Sequence, residues 1–350
     1  MASLQRDSAT QQDFYFFDDS ADPPAWCAAS SSPARESHAT TPTPRIHLIS
    51  WNIDFQAPAE AERMTAALQY LGDLVSEHNR THSSRTVILF QEMVSKDLEL
   101  IQQTAWVQKD FYITDLQPSH WYGRYGTTTL IDRRLSVDRV FRVPYAESRM
   151  QRDVLCVDLD MPDPMRERST VRVCNTHLES LASGTPRRPV QLKVASEFMH
   201  GAGPRARMDN KADNLRPNDQ NTILVPVPHA AILAGDLNAF APEDASIPQA
   251  CRLKDAFLVL GGKEKTEEAI TWGKQNPDWM TFPADRLDKV LFCGGVEVLS
   301  YRKIGEGLKA RVSLYNSDDS DGDPDEYEDV WVTDHFGMVA EFRIFSGSDH

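Results

Sequence analysis

A succession of short, β-prone apolar runs constrains the fold of this chain more than any other feature. The runs begin at Ile46 and recur almost to the end of the sequence, and their length and their content of Val, Ile, Thr and Phe are typical of strands. The predicted strands are Ile46–Ser50, Thr86–Phe90, Thr127–Ile131, Val154–Leu159, Val171–Thr176, His229–Ala234, Leu287–Phe292 and Met338–Phe345. Helical periodicity in Ala61–Leu74 and Val190–Met199 lies between some of them, which predicts one layered domain of helices and strands without a second core.

Three segments interrupt this pattern. Residues 1–44 are rich in Ala, Ser, Thr, Pro and Asp, which predicts a disordered tail, with the aromatic stretch Phe14–Phe17 as either a docking peptide or an adhesive patch. The domain is then expected over residues 45–350, with residues 201–228 as a surface insertion. Residues 316–329 are predicted to be a solvated acidic loop, because Pro324 inside the segment does not fit a calcium-binding loop.

Composition excludes some classes of protein. The chain has 37 basic and 52 acidic residues and a formal charge of −15, which argues against a broad basic face that holds nucleic acid. A local basic groove, or a site whose acidic residues carry a metal, is compatible with this charge. The five cysteines lack a C-x-x-C spacing, and three of them (Cys156, Cys174 and Cys293) lie in apolar runs, which predicts buried thiols in a reducing compartment. No signal peptide or membrane span is evident, so we expect an intracellular protein without membrane contact. We also expect a monomer.

Polar residues stand at the boundaries of the predicted strands. They are Asn52, Glu92, His177, Asp236, Asn238, Asp288, Asp334 and His335. Each one alone has an ordinary explanation, since an Asp after Gly commonly forms a turn or a helix cap and a single His is commonly structural. Their joint occurrence at strand ends, where sheet proteins place binding residues, predicts that they form one functional site.

The residue types in this set favour metal-assisted chemistry at a phosphate. Glu92 and the Asn52 carboxamide offer hard oxygen ligands that suit Mg²⁺ or Mn²⁺. The sequence has no serine nucleophile elbow and no Cys–His arrangement, so the attacking group is expected to be water. Asp236 is predicted to take the proton of this water and Asn238 to direct it, because residues two apart on an extended segment point to one side.

The two histidines complete the predicted mechanism. His177 and His335 are expected to donate hydrogen bonds to the phosphoryl oxygens as charge develops in the transition state. Either Asp334 or Asp288 orients an imidazole. The predicted reaction is therefore metal-assisted hydrolysis of a phosphate ester.

The order of these motifs resembles the endonuclease/exonuclease/phosphatase superfamily, and the resemblance spans about residues 46–345. Within it, the chain is most similar to the tyrosyl-DNA phosphodiesterase 2 family, the 5′-tyrosyl-DNA phosphodiesterases. The motifs that carry the similarity are SWNID (Ser50–Asp54), LFQEM (Leu89–Met93), MQRDVLCV (Met150–Val157), THLES (Thr176–Ser180) with a later Arg and Gln191-Leu192, and TW (Thr271–Trp272).

The resemblance implies an α+β fold of four layers, α/β/β/α, in which two mainly antiparallel, DNase I-like sheets are flanked by helices. It implies Mg²⁺-dependent hydrolysis of the 5′-phosphotyrosyl bond that joins a trapped topoisomerase II to DNA, and hence a nuclear role in DNA repair. It also implies substrate contacts for Ser180, Arg152, Arg188 and Trp272. The two arginines alternatively pair with acids of the fold, and Trp272 alternatively lies in the core.

Two other functions remain open at this point. The chain could be another phosphoesterase of the same fold, acting on a lipid, an inositol phosphate, a nucleotide or RNA, because the insertions differ from those of the family. A binding or scaffold protein that has lost catalysis is disfavoured, since every group that the chemistry needs is present. Thr333-Asp334-His335 replaces the family's Ser-Asp-His, and Leu237 replaces a Thr, but both changes spare the reacting groups.

Overall fold

The computed structural model describes residues 6–29, 45–163, 166–201, 223, 225–275, 282–314 and 326–345. The strands of these residues are β1 (Thr10–Gln12), β2 (Tyr15–Asp18), β3 (Ala25–Ala28), β4 (Arg45–Asn52), β5 (Arg85–Met93), β6 (Phe111–Ile113), β7 (Gly126–Asp132), β8 (Ser136–Pro144), β9 (Asp153–Asp163), β10 (Arg166–His177), β11 (Ala230–Asp236), β12 (Lys254–Asp255), β13 (Asp288–Gly294), β14 (Val296–Ile304), β15 (Lys309–Ser313), β16 (Tyr327–Trp331) and β17 (Gly337–Ile344). The α-helices are α1 (Glu60–Thr81), α2 (Ser95–Gln103), α3 (Ala105–Asp110), α4 (Arg188–Met199), α5 (Ile247–Ala250) and α6 (Ala256–Val259).

Two large sheets form the centre of the fold. One has the strand order β1-β8-β9-β10-β11-β13-β12, and the other has the order β14-β17-β4-β5-β7-β6-β2-β3. Each sheet contains one parallel pair, β10–β11 in the first and β4–β5 in the second, and its other neighbouring strands are antiparallel. The predicted α+β fold of two packed, mainly antiparallel sheets is confirmed.

The core has three apolar clusters, because both sheets are apolar on both faces. The cluster between the sheets includes Val87 and Ile232. A second cluster packs the buried stripe of α1, which includes Leu71, against the outer face of the β4–β5 sheet. The third packs Leu192 of α4 against the opposite sheet. This arrangement gives four layers, helix on sheet on sheet on helix.

All eight predicted strands and both predicted helices are present, and most extend a few residues beyond their predicted ends. Strands β8 and β14 were not predicted. Both strands carry charged residues, such as Arg139 in β8 and Arg302 in β14, and these residues dilute the apolar signal by which a strand is recognised.

The prediction of a disordered tail is wrong for residues 6–29. Strand β1 pairs with β8 at the edge of one sheet, and the β2–β3 hairpin extends the other sheet through β6. The aromatic stretch is ordered because it has partners. Phe14 packs edge-on against Tyr112 with ring centroids 5.3 Å apart, and the Arg133 guanidinium lies 5.2 Å from the Phe16 ring. Residues 1–5 and 30–44 lie outside the described part of the chain.

The predicted insertions are only partly described. Most of residues 201–228 and residues 315–325 lie outside the described ranges. The prediction that residues 316–329 are all loop is wrong at its end, since residues 327–329 belong to β16 and pair with β15. Cys156, Cys174 and Cys293 are buried free thiols, as predicted. No helix in the described residues is long and apolar enough to cross a membrane.

Candidate active site

The two parallel strand pairs end at the same edge of the sandwich and bring the predicted site residues together. In one sheet, His177 at the end of β10 stands in register with Asp236 at the end of β11. In the other sheet, Asn52 ends β4 beside Gln91, and Glu92 follows in β5. The β5–β7 ladder shifts register between Phe90 and Met93. This irregularity re-aims the Glu92 side chain, as bulges commonly do beside active sites.

Gly235 explains how β11 delivers Asp236 so close to His177. Its φ is +148°, and a Cβ placed there would lie 1.8 Å from the carbonyl oxygen of Thr176. Only a residue without a side chain allows the two backbones to approach in this way. The glycine in the motif is therefore required by the close approach of two strands.

Asp236 is the centre of the site and is buried. Its Oδ2 lies 3.3 Å from His177 Nε2 and 3.8 Å from His335 Nε2, and it accepts a hydrogen bond from Asn52 Nδ2 at 3.1 Å. Its Oδ1 accepts from the Asn238 backbone N–H at 2.8 Å. Burial opposes ionisation of Asp236, but the two imidazoles and the Asn238 N–H hold its pKa below the ordinary value. Asp236 is thus an ionised carboxylate at neutral pH.

The protonation of His177 follows from its partners. Arg152 donates to its Nδ1 at 2.8 Å, so Nδ1 is an acceptor and the ring proton of the neutral imidazole lies on Nε2. Burial and the Arg152 cation lower the pKa of His177 to about 4. Nε2 is a buried atom without a well-aligned hydrogen-bond partner among the described residues. It carries the ring proton and points into the site, towards the Asp236 carboxylate 3.3 Å away.

His335 has the opposite charge preference. Its Nδ1 forms a 2.8 Å hydrogen bond with Asp288, so Asp288 is the residue that orients this imidazole. Burial alone would lower the pKa of His335, but Asp288, Asp334 and Asp236 raise it well above its ordinary value. The site therefore combines one neutral and one cationic imidazole.

Asp334 is held by Trp272, whose indole Nε1 donates to its Oδ2 at 2.7 Å. The Trp272 ring is half-buried, and its centroid lies 6.4 Å from that of His335. The tryptophan is thus at the rim of the site rather than in the core. Its indole hydrogen bond fixes the position of the Asp334 carboxylate.

Glu92 is the residue whose environment most needs a cation. Burial raises its pKa to about 7, although the Arg152 cation opposes the shift. Ligand atoms of Glu92, His177 and Asp236 lie within 4.8 Å of one another. Asn52 adds a carboxamide oxygen that accepts one hydrogen bond, from the Asp54 N–H, and retains a second lone pair. These groups fit a divalent metal, and their oxygen atoms fit a hard one.

Three residues of the site have left-handed backbone conformations that side chains rarely adopt. They are Asp54, Glu92 and Asn238, with φ of 58°, 60° and 49°. Asn238 Nδ2 also donates to the Leu178 carbonyl oxygen at 3.2 Å, which ties the β11 exit to the β10 exit. Such strain is found where the surrounding structure fixes side chains for function.

Ser180 and Arg188, both predicted as possible substrate contacts, lie in different surroundings. Ser180 Oγ accepts from Arg152 at 3.0 Å, so these two predicted substrate contacts are neighbours beside His177. The guanidinium of Arg188 is buried instead, pairs with Asp244 at 2.7 Å and donates to the Glu179 carbonyl oxygen at 3.1 Å. Of the two roles predicted for Arg188, a substrate contact or a pair with an acid of the fold, the structure shows the pair with an acid.

The sequence did not indicate two half-exposed aromatic residues of the site. Phe55 and Tyr125 stack with ring centroids 3.9 Å apart, and the Arg152 guanidinium lies 5.0 Å from the Tyr125 ring. Phe55 directly follows the first motif, which is a signal for it. Tyr125 stands in an irregular segment before β7, and no pattern points to it.

A buried polar network below the site was also missed. Gln91 Nε2 donates to Asn175 Oδ1 at 2.8 Å, and Asn175 Nδ2 donates to the Phe90 and Thr128 carbonyl oxygens at 3.0 Å. These bonds join the two sheets directly beneath the metal-type and imidazole residues. Arg63 of α1 performs a related task, because it donates to five backbone carbonyl oxygens of residues 53–58 and 332.

The sequence profile of the Endonuclease/Exonuclease/phosphatase family matches residues 49–350. The chain therefore belongs to this family, whose members are phosphoester hydrolases, and the recognition of the superfamily from the motifs is confirmed. A search of curated protein sequences finds no match to the chain.

Several solved structures share the fold. TDP2 from Caenorhabditis elegans has a TM-score of 0.58 and 20% identity, covering 86% of this chain and 76% of that one. TDP2 from D. rerio, solved with a single-strand DNA product, has a TM-score of 0.55 and 15% identity, covering 85% and 98%. The mannosyl-6-phosphatase Bt3783 of Bacteroides thetaiotaomicron has a TM-score of 0.52 and 15% identity, covering 86% and 100%. At these identities the similarity establishes the fold alone.

Proposed function

We propose that this protein is a Mg²⁺-dependent phosphodiesterase that hydrolyses the 5′-phosphotyrosyl bond between DNA and a trapped topoisomerase II, with Mn²⁺ as an alternative metal. The observation that carries the proposal is the placement of the Asp236 carboxylate between a neutral and a cationic imidazole, beside a half-buried Glu92. Its expected partner is a DNA 5′ end with a tyrosyl adduct. The expected place of action is the nucleus.

In the proposed reaction, water attacks phosphorus and the bond from phosphorus to the tyrosine oxygen breaks. The water proton passes to Asp236, the electron pair of the broken bond leaves with the tyrosine oxygen, and the DNA retains a 5′-phosphate. Asn238, held in its left-handed conformation, directs the water. This step needs no covalent enzyme intermediate.

The charge that develops on the phosphoryl oxygens has two donors. The neutral His177 offers its Nε2–H, and the cationic His335, held by Asp288, offers a charged donor. A divalent metal held by Glu92 and Asn52 supplies Lewis-acid stabilisation of the phosphate when it is bound.

The aromatic surface beside His177 supports a tyrosyl substrate. The stacked Phe55 and Tyr125 rings are half-exposed, and Arg152 lies against Tyr125. A phenol ring and a nucleobase are both flat and apolar on their faces, so both fit against such a surface. The sequence similarity of Asp54 and of the first three motifs to the 5′-tyrosyl-DNA phosphodiesterases supports the same substrate.

A smaller phosphate ester is the second candidate, and the charge of −15 is the observation that favours it. An acidic chain attracts long polyanions weakly, whereas a single phosphate needs only the site itself. This class includes inositol phosphates, nucleotides and lipid headgroups.

One assay separates the two candidates. The purified full chain with Mg²⁺ is incubated with a 5′-tyrosyl oligonucleotide and, in parallel, with sphingomyelin, inositol phosphates and mannose 6-phosphate. We expect release of free tyrosine and a 5′-phosphate oligonucleotide, and we expect chelation of the metal to abolish it. Cleavage of only the small esters or the lipid overturns the proposal.

A further inference from the structure

The β15–β16 hairpin has two unlike faces, because side chains alternate along each strand. On the inner face, Ala310 is buried and Val330 is half-buried, and both belong to the apolar cluster that packs on α1. The outer face is exposed apart from the half-buried Trp331, and its register places Lys309 opposite Trp331 and Arg311 opposite Asp329. The hairpin is thus anchored to the core by its inner face, and its outer face is turned to solvent.

The outer face consists largely of cations on aromatic rings. The Lys309 Nζ lies 4.5 Å from the Trp331 ring centroid, and the Arg311 guanidinium carbon lies 4.3 Å from that of Tyr327. Tyr327 is 45% exposed. Within the described ranges, neither cation forms an ion pair with a carboxylate, although Asp329 shares the face. Two cations, the exposed Tyr327 ring and the half-buried Trp331 ring thus lie in one row, with Asp329 among them.

This row leads into the catalytic loop. The Val332 N–H donates to the Leu308 carbonyl oxygen at 3.2 Å, which closes the base of the hairpin, and Thr333 Oγ1 donates to the Asn52 carbonyl oxygen at 2.8 Å. Trp331 is three residues from Asp334, so their Cα atoms are at most about 10 Å apart. The Lys309–Trp331 pair is therefore the end of the row nearer to the reaction centre.

We propose that the outer face of the β15–β16 hairpin binds single-stranded nucleic acid and holds the part of the substrate that extends beyond the reacting phosphate. The cations complement the backbone phosphates, and the aromatic rings offer stacking surfaces to the bases, which is how proteins bind single strands without reading their sequence. The inference rests on the proposed function, in that it takes the substrate to be a nucleic acid. It adds a second substrate contact outside the reaction centre.

The test compares substrates of different length. The double variant Lys309→Ala/Arg311→Ala is assayed on a 5′-tyrosyl decanucleotide and on a mononucleotide with a 5′-p-nitrophenyl ester. We expect KM for the decanucleotide to rise about tenfold, with kcat and the mononucleotide KM unchanged. The plot of log KM against log salt for the decanucleotide is expected to lose about 1.4 from its slope, because two phosphate contacts are removed.

Matched variants separate binding from folding. Arg80→Ala/Lys96→Ala removes the same charge from exposed residues that pair with Glu77 and Glu99, and it is expected to leave the decanucleotide KM unchanged. Lys309→Arg/Arg311→Lys keeps both cations and is expected to restore binding. A change in thermal stability alone, or an equal rise in both KM values, overturns the proposal.

A direct binding measurement distinguishes failure of the hairpin proposal from failure of the proposed function. Fluorescence anisotropy of a labelled decanucleotide reports on the hairpin even if neither ester is hydrolysed. Loss of oligonucleotide binding in the double variant then supports the hairpin proposal while the absence of hydrolysis contradicts the tyrosyl-DNA activity. Unchanged oligonucleotide binding, with loss of binding to anionic phospholipid vesicles instead, overturns the hairpin proposal.

Discussion

The two parallel strand pairs of the fold deliver the active site in different ways. The β10–β11 pair ends in strict register, and its two side chains, His177 and Asp236, compensate each other's polarity. The β4–β5 pair ends in an irregular ladder, and its Glu92 carboxylate has a pKa raised to about 7 by burial. The residues at the end of β10–β11 therefore balance each other's charge and suit proton transfer and hydrogen bonding. The Glu92 carboxylate at the end of β4–β5 needs a bound cation to balance its charge.

The first prediction concerns the carboxylate charge at the end of the β10–β11 pair. Asp236→Asn keeps the shape of the side chain but cannot accept the proton of water. We expect kcat to fall about 10³- to 10⁴-fold, the effect of losing a positioned general base. The measurement is single-turnover hydrolysis of the 5′-tyrosyl oligonucleotide, with circular dichroism to show that the fold is retained. Full activity in this variant contradicts the assignment of Asp236.

The second change tests why the β10–β11 half can be so regular. A Cβ in Gly235→Ala would collide with the Thr176 carbonyl oxygen, so we expect a loss of about 3 to 5 kcal/mol in the free energy of unfolding. Gly307→Ala is the matched control. Gly307 also has a positive φ, but no atom lies within 4 Å of its added Cβ, and we expect only about 1 to 2 kcal/mol. Equal losses in urea unfolding would show that the close approach is unimportant.

The third change addresses the β4–β5 half. Glu92→Gln removes the negative charge while retaining an oxygen atom, so the affinity for the divalent metal is expected to fall about a hundredfold. Isothermal titration with Mn²⁺ measures this directly. Asp97→Asn, which neutralises a buried carboxylate at the start of α2, is the control and is expected to leave the affinity for Mn²⁺ unchanged. A metal affinity that is unaffected by Glu92→Gln would place the metal elsewhere.

The fourth prediction concerns the far end of the same β4–β5 pair, where His47 is buried and stacks on His78 with ring centroids 3.6 Å apart. Burial, aided by His78, lowers the pKa of His47 to about 3. The unfolded chain then binds this proton below about pH 6.5 and the folded protein does not, so stability falls as pH falls. Between pH 7.5 and 5, His47 should account for about 2 kcal/mol of the loss.

Urea unfolding of the protein and of His47→Gln across this pH range measures that contribution. The variant is expected to lose less stability on acidification, by about the same 2 kcal/mol. Parallel slopes for the two proteins would show that His47 titrates normally in the folded state.

The sequence predicted the regular parts of the molecule well. The apolar runs identified the central strands of both sheets because these strands are buried on both faces, and Asn52, Glu92, His177, Asp236 and His335 stood out as polar residues at their ends. The order of the motifs then predicted that these ends meet. The register of β10 with β11 places His177 directly beside Asp236.

The parts that the sequence did not predict depend on contacts between distant segments. Residues 6–29 resemble a disordered tail until Gln12 donates to the Thr114 carbonyl oxygen and Arg142 donates to Gln12. The motif alone does not reveal that Arg188 pairs with Asp244, which is distant in the sequence. Tyr125 has no local signal, because its role is defined by Phe55 on another segment. Composition and periodicity do not contain such pairings.

In the reaction that we propose, water positioned at the β10–β11 end of the sandwich attacks the phosphorus of a 5′-tyrosyl phosphodiester. Hydrolysis in water enriched in the heavy oxygen isotope, followed by mass spectrometry of both products, tests it most directly. We expect one heavy oxygen in the 5′-phosphate of the DNA and none in the released tyrosine. Heavy oxygen in the tyrosine, or no release of tyrosine with Mg²⁺ present, would contradict it.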